Sequence, residues 1–165
     1  MTRLFSFAAL AVVSALVLAA CGGTSYGGGS SSSTPKSAPA PAASASAASI
    51  ATKTNSLGTF LVDGTGRTLY LWDADKGAMS TCSGECAQDW PPLTTKGAPK
   101  ASTGVKASLL GTTTRSDGTR EVTYAGHPLY QFEGDTGPGQ ATGQGSSAFG
   151  APWWVVSPAG KALQH

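Results

Sequence analysis

The chain has 165 residues, 22 of them glycine, with 12% charged positions and a formal net charge of +2; this suits one small loop-rich domain with a flexible appendage. All nine Asp and Glu, and nine of the eleven Lys and Arg, fall from Lys53 onward, so that part is neutral overall. A neutral domain lacks the phosphate-neutralising footprint of a nucleic-acid binder, and no nucleic-acid partner is expected.

At the N-terminus, Arg3 precedes an apolar run from Leu4 to Ala20 that ends in Leu18-Ala19-Ala20-Cys21. The run is too short and too soon interrupted to read as a spanning helix. Small residues ahead of Cys21 resemble a bacterial lipoprotein signal, in which residues 1–20 are removed and the Cys21 thiol carries diacylglycerol. A plain secretory peptide cut at an Ala-x-Ala-like site and an uncleaved anchor are the alternatives. Two or more acyl chains, at about 0.8 kcal/mol per buried methylene, anchor stably where one does not. Residues 21–52 then read as a lipidated cysteine followed by a Gly/Ser/Ala/Pro spacer that cannot bury enough apolar surface to order itself. The folded domain is expected over 53–165, beginning near Asn55.

Within that domain the stretch Tyr70 to Gly77 returns sixty positions later as Tyr130 to Gly137. Between 58–77 and 118–137, eight of twenty residues are identical, Gly58/Gly118, Thr59/Thr119, Val62/Val122, Leu69/Leu129, Tyr70/Tyr130 and Asp75/Asp135 among them. Trp72 with Phe132 and Asp73 with Glu133 keep their chemistry, so the chain is a duplication with repeats over about 57–97 and 108–165. Phe60 to Val62, a Gly-containing turn, and Thr68 to Trp72 form a predicted β-hairpin; Val122 to Tyr124, Ala125-Gly126-His127 and Pro128 to Phe132 form its second copy. Leu109 to Thr114 with an Asp117-Gly118 turn supplies another strand. Val155 to Leu163 echoes Leu61 to Leu69 as a partial third hairpin. Seven or eight short strands with at most a short helical turn predict an all-β antiparallel sandwich or barrel, its two repeats related by a pseudo-twofold.

The first repeat carries what reads as an insertion, Cys82-Ser83-Gly84-Glu85-Cys86, leading to Trp90-Pro91-Pro92. With Cys21 assigned to lipid, two thiols remain, and an oxidising compartment favours a structural disulfide. A redox-cycling pair and a copper or other metal site are the competing readings. Haem attachment is excluded, since Ala87 rather than His follows the second cysteine. His127 reads as a solvated turn residue. Gly134 to Gly150 reads as a long mobile loop. No nucleophile elbow, metalloprotease helix or phosphate loop is present.

These residues carry a resemblance. The repeated Tyr-x-aromatic-x-x-Asp, the Cys-x-x-x-Cys-Ala ahead of Trp-Pro-Pro-Leu, Gly126-His127-Pro128-Leu129-Tyr130 and the Trp154-Val155-Val156-Ser157-Pro158 ending resemble a bacterial family of secreted repeat lipoproteins of unknown function, known by its Tyr-x4-Asp motif. The resemblance covers about Leu57 to Leu163; it implies secretion and lipidation and brings no catalytic residue.

Strand alternation places Tyr70 and Trp72 on one face, opposite Leu69 and Leu71, and Tyr130 and Phe132 likewise, opposite Leu129 and Gln131. Asp75 and Asp135 fall in the turns that follow. They are expected to brace each half of the core through a tyrosine hydroxyl or backbone N–H. Two other readings compete. One is a ligand site of exposed aromatics and acids; the other is a weak cation site at Asp73/Asp75 and Glu133/Asp135, which has too few carboxylates for a calcium cage. The functional expectation is a lipid-anchored extracytoplasmic module that binds an envelope partner. It is expected to be monomeric and non-enzymatic, with no metal or cofactor; a redox or metal-handling protein built on Cys82 and Cys86 is the alternative.

Overall fold

A computed structural model describes residues 46–164, so the expected signal peptide, Cys21 and most of the spacer lie outside the described residues. The fold is all-β. In chain order it runs β1 (Ser49–Asn55), β2 (Gly58–Asp63), β3 (Tyr70–Trp72), α1 (Glu85–Asp89), β4 (Lys100–Ala101), β5 (Leu110–Thr114), β6 (Arg120–Tyr124), β7 (His127–Pro128) and β8 (Trp153–Val155). Three small sheets result, ordered β2-β1-β4, β3-β8 and β5-β6-β7. All pairings are antiparallel except the short β1–β4 contact.

The folded part begins earlier than Lys53. β1 pairs along its length with β2, from Ile50 opposite Asp63 to Asn55 opposite Gly58, and Ile50 is fully buried. Its sequence, Ser-Ile-Ala-Thr-Lys-Thr-Asn, continues the Ser/Ala/Thr composition of the spacer, which hides the strand. Asn55 closes the hairpin by accepting the Leu57 N–H at 2.8 Å, a local side-chain bond of the kind that favours Asn in turns.

Backbone bonds define the pseudo-twofold. The Tyr70 N–H donates to the Tyr130 carbonyl at 2.8 Å, and the Tyr130 N–H donates to the Tyr70 carbonyl at 3.0 Å. The axis passes between these two residues. Around it, Leu61 N–H to Val156 O, Val156 N–H to Leu69 O and Leu69 N–H to Leu61 O match Val122 to Leu93, Leu93 to Leu129 and Leu129 to Val122. The equivalent of Val122 is therefore Leu61, one residue off the gapless alignment, and the identities at Val62/Val122 and Thr59/Thr119 are not structural correspondences.

The slip arises in the turns. The first hairpin closes through the Asp63 to Arg67 turn, with Val62 opposite Thr68. The second closes in two residues, Ala125 and Gly126, at φ 51° and 82°, with Tyr124 opposite His127. Positive φ at both positions is the primed turn whose twist matches paired strands. His127 thus belongs to β7 and is half-buried.

Strand alternation sorts the core into two layers. Tyr70, Trp72, Tyr130, Trp90, Trp153, Phe60 and the two cysteines form one, with Phe132 packed against it. Leu61, Leu69, Leu71, Leu93, Val122, Leu129 and Val156 form the other. The expected partial third hairpin is present as a short ladder: Val156 bridges Ala162, Ser157 N–H donates to Lys161 O at 2.8 Å and Leu163 N–H to Val155 O at 2.9 Å, the pattern of Val62 with Thr68, Asp63 with Arg67 and Leu69 with Leu61. Gly160 of its turn abuts the second hairpin so closely that a Cβ there would sit 2.2 Å from that of Ala125.

Candidate functional site

The repeated motif residues converge on the pseudo-twofold axis, and their hydrogen bonds cross it. Tyr70 Oη donates to Asp135 Oδ2 at 2.6 Å, and Tyr130 Oη donates to Asp75 Oδ2 at 2.6 Å. The tyrosine bracing expected within each half therefore runs reciprocally between halves, and only the backbone N–H bracing stays within each. The antiparallel meeting of Tyr70 and Tyr130 aims each phenol at the turn of the other repeat.

Each aspartate is saturated in the same way. Asp75 Oδ1 accepts the backbone N–H and the hydroxyl of Thr81, both at 2.8 Å. Asp135 Oδ1 accepts the same pair from Thr142, at 2.8 and 2.7 Å. Both carboxylates are buried, at 7% and 2% exposure, and both phenols are fully buried. Burial pushes both tyrosine pKa values up, and the neighbouring carboxylates add to the rise: Asp135 for Tyr70, Glu121 and Asp75 for Tyr130. The phenols stay protonated and act as donors.

Above the pairs lies a four-ring stack. Trp72 stacks on Trp153 with centroids 5.0 Å apart, Trp153 on Trp90 at 4.0 Å, and Trp90 on Phe132 at 4.4 Å. Tyr70 meets Trp90 edge-on at 5.3 Å, and Tyr130 meets Trp153 edge-on at 5.1 Å. The order is symmetric about the axis, Trp72 answering Phe132 and Trp153 answering Trp90. Edge-to-face and offset pairs of this kind add about 0.5–1.5 kcal/mol each beyond area burial.

The cysteine segment is consequently no simple insertion. Each motif turn is followed by a loop that returns a tryptophan to the stack, Trp90 in the first repeat and Trp153 in the second. Equivalent main-chain bonds fix the two returns, Glu133 N–H to Asp89 O and Asp73 N–H to Pro152 O. Cys82 and Cys86 are disulfide-bonded, both buried, with α1 carrying Cys86. The second loop is held by hydrogen bonds instead, contrary to the expected mobility of 134–150. Gly145 N–H donates to Trp153 O at 2.9 Å, Trp153 N–H to Ser146 O at 2.8 Å, and the Gln144 side chain joins Val155 N–H to Leu163 O. Gly143 is required there, because a Cβ would lie 2.6 Å from the Trp90 ring.

One polar network breaks the symmetry. Glu121 occupies the position equivalent to Phe60, and both are fully buried. Arg115 donates to Glu121 Oε2 at 2.8 Å, to the Cys82 carbonyl at 2.5 Å and to Ser80 Oγ, which in turn bonds Tyr130 Oη at 2.7 Å. Burial pushes the Glu121 carboxyl up to about 7 in spite of Arg115. For Arg115 burial works the other way, and the hydrogen bond and charge of Glu121 outweigh it to raise the guanidinium. Glu121 Oε1 has no hydrogen-bond partner among the described residues.

The outer motif acids stand apart. Asp73 is exposed and accepts the Trp154 indole N–H at 2.9 Å. Glu133 is exposed and lies 3.9 Å from Arg67, which also donates to the Phe132 carbonyl at 2.8 Å. Thr65, Arg67, Glu133, Asp135 and Thr136 to Pro138 line an open depression. Among the described residues no three His, Cys, Asp or Glu side chains gather as metal ligands, and no helix is long and apolar enough to cross a membrane.

A family model described as a secreted repeat of unknown function, Lipoprotein_15, matches residues 51–94 and 111–157. No curated protein and no solved structure matches the chain.

Proposed function

The chain belongs to that secreted-repeat family, and from this premise we propose that it is a lipid-anchored extracytoplasmic module. In this reading it is held by Cys21, monomeric and non-enzymatic, and it presents its outer surface to a cell-envelope partner. One observation carries the reading: the buried motif oxygens are consumed inside the domain, so the motif holds a scaffold together and a partner meets the surface around it. The buried Cys82–Cys86 bridge also argues for a structural disulfide over a redox-cycling or metal-handling pair, because an attacking thiolate needs access to sulfur.

Fractionation tests the anchor. Cys21→Ser should move the full-length protein out of the membrane fraction; a substituted protein that stays there overturns the lipid anchor. Capture from envelope extracts with the full chain as bait tests the module. Glu133→Ala on the outer surface should weaken capture at an unchanged unfolding midpoint. Loss of capture in Tyr70→Phe with an unchanged midpoint would instead make the motif the binding site.

A further inference from the structure

We propose that the aromatic core is a one-electron relay, in which an oxidising equivalent taken up at the edge of Trp72 passes through Trp153 and Trp90 and comes to rest on Tyr70 or Tyr130. The proposal goes beyond the binding-module reading and rests on three features of the core.

The first is continuity. From Trp72 to Trp153 to Trp90 the ring centroids are 5.0 and 4.0 Å apart with interplanar angles of 7° and 6°, and each tyrosine meets one of the central indoles at 5.1 or 5.3 Å. Rings at van der Waals contact exchange electrons without an intervening bridge.

The second is the fate of the proton. Removing an electron from a phenol makes its O–H strongly acidic, so the electron leaves most easily where a base stands ready within hydrogen-bond reach. Each phenol is 2.6 Å from a carboxylate oxygen. On each aspartate Oδ1 is taken by two threonine donors, while Oδ2 faces the phenol. Tyr124 provides an internal contrast: it donates to the Pro158 carbonyl at 2.9 Å, a poor proton acceptor, and lies in the other core layer.

The third is polarity along the stack. Trp72 keeps 8% of its surface exposed, whereas Trp90 and Trp153 keep 1% and none. At the opposite end Phe132 replaces the indole, and a benzene ring is far harder to oxidise. The relay therefore opens on one side only.

In balance, an outer-sphere one-electron oxidant of the high-potential metal-complex class gains one electron. The tyrosine O–H bond breaks, and the proton adds to Oδ2 of the facing aspartate. A neutral phenoxyl radical is left beside a neutral carboxylic acid. A one-electron reductant such as ascorbate then supplies the electron, and the proton returns from the aspartic acid to the phenol oxygen.

Flash oxidation of the full-length protein tests this, with photogenerated tris(bipyridine)ruthenium(III) as the oxidant and a cobalt(III) ammine as the electron acceptor. Radicals are followed by transient absorption and electron paramagnetic resonance. The expected result is a tryptophanyl signal that decays into a tyrosyl signal, more slowly in deuterium oxide. In Tyr70→Phe/Tyr130→Phe the tyrosyl signal should fall to background although Tyr26 and Tyr124 remain, leaving the tryptophanyl radical long-lived. Should that variant lose its folded near-ultraviolet spectrum, Trp72→Phe carries the test, since Phe132 already fills the equivalent site: tyrosyl formation must slow in a variant that still unfolds cooperatively. Tyrosyl formation unaltered in a folded double variant or in Trp72→Phe, or tryptophanyl radicals that never convert in the wild type, overturns the relay.

Discussion

Removing one motif hydroxyl at a time distinguishes bracing across the repeats from bracing within them. Tyr70→Phe leaves Asp135 Oδ2 without its donor at a site only 2% exposed. A buried acceptor that loses its partner costs about 1–3 kcal/mol, toward the upper end for a charged one. Asp135→Asn keeps an oxygen for the two Thr142 donors but turns an amide N–H toward Tyr70, which ends the phenol-to-carboxylate bond and should cost a similar amount. Because both changes delete one interaction, the double variant Tyr70→Phe/Asp135→Asn should fall short of the sum of its singles by about 1–2 kcal/mol, within the usual range for contacting residues. The mirror pair Tyr130 and Asp75 should behave alike. The same-repeat combination Tyr70→Phe/Asp75→Asn should add, since those two side chains share no bond. Urea unfolding of the three cycles, with midpoints converted through a common slope, measures the couplings. Coupling within a repeat and none across would refute the reciprocal arrangement.

Glu121 adds a pH dependence of defined sign. Its folded pKa of about 7 lies above the ordinary carboxyl value of 4.5, so between those limits the folded state holds a proton that the unfolded state has released. Its contribution is greatest below about 4.5 and declines as pH rises toward 7, by at most about 1.4 kcal/mol per unit; the pH profile of Glu121→Gln should lack this slope. Cys82 and Cys86 should resist alkylation until reduced, and replacing both should lower stability by about 2 kcal/mol for so short a loop, read from the urea midpoint. Fragments 46–106 and 107–165 should each lack a folded near-ultraviolet spectrum alone and recover it on mixing, because Leu61 and Asp75 find their partners in the second fragment; either fragment folding as a monomer would contradict this.

The fold class was legible because alternation and turn residues act locally. Tyr70 and Trp72 facing one layer, Leu69 and Leu71 the other, follows from a strand's period of two, and the two layers bear it out. β1 was not legible, since Ile50 is its one large apolar residue. The equivalence of Val122 with Leu61 was hidden by the chance identities Thr59/Thr119 and Val62/Val122 ahead of a shortened turn. The Tyr–Asp partnership was legible as chemistry but not as pairing: local spacing places Asp75 five residues from Tyr70, and only the crossing of Tyr70 and Tyr130 at the axis decides which phenol reaches which carboxylate. Trp90 and Trp153 stand in dissimilar surroundings, Asp-Trp-Pro-Pro and Pro-Trp-Trp-Val, and their equivalence emerges from the bonds made by Asp89 and Pro152.

The two repeats provide a comparison within one molecule where they differ. At one position of the core layer the first repeat has Phe60 and the second Glu121, both without exposure. Phe60 needs only to fill space. Glu121 needs Arg115, and a buried ion pair regains in attraction roughly what it loses in desolvation, so it is seldom more stabilising than an apolar filling of the same site. The orphaned Oε1 makes the balance less favourable still. Stability therefore does not account for the exchange. Position does: Arg115 ties the second hairpin to Ser80 and to the Cys82 carbonyl, immediately beside Thr81, whose two donors hold Asp75. In the second repeat Gly143 occupies the place of Cys82, and main-chain bonds such as Gly145 N–H to Trp153 O and Trp153 N–H to Ser146 O hold the loop. The first loop, closed by a disulfide, is thus registered against the opposite repeat by a guanidinium. The second is registered by its own backbone.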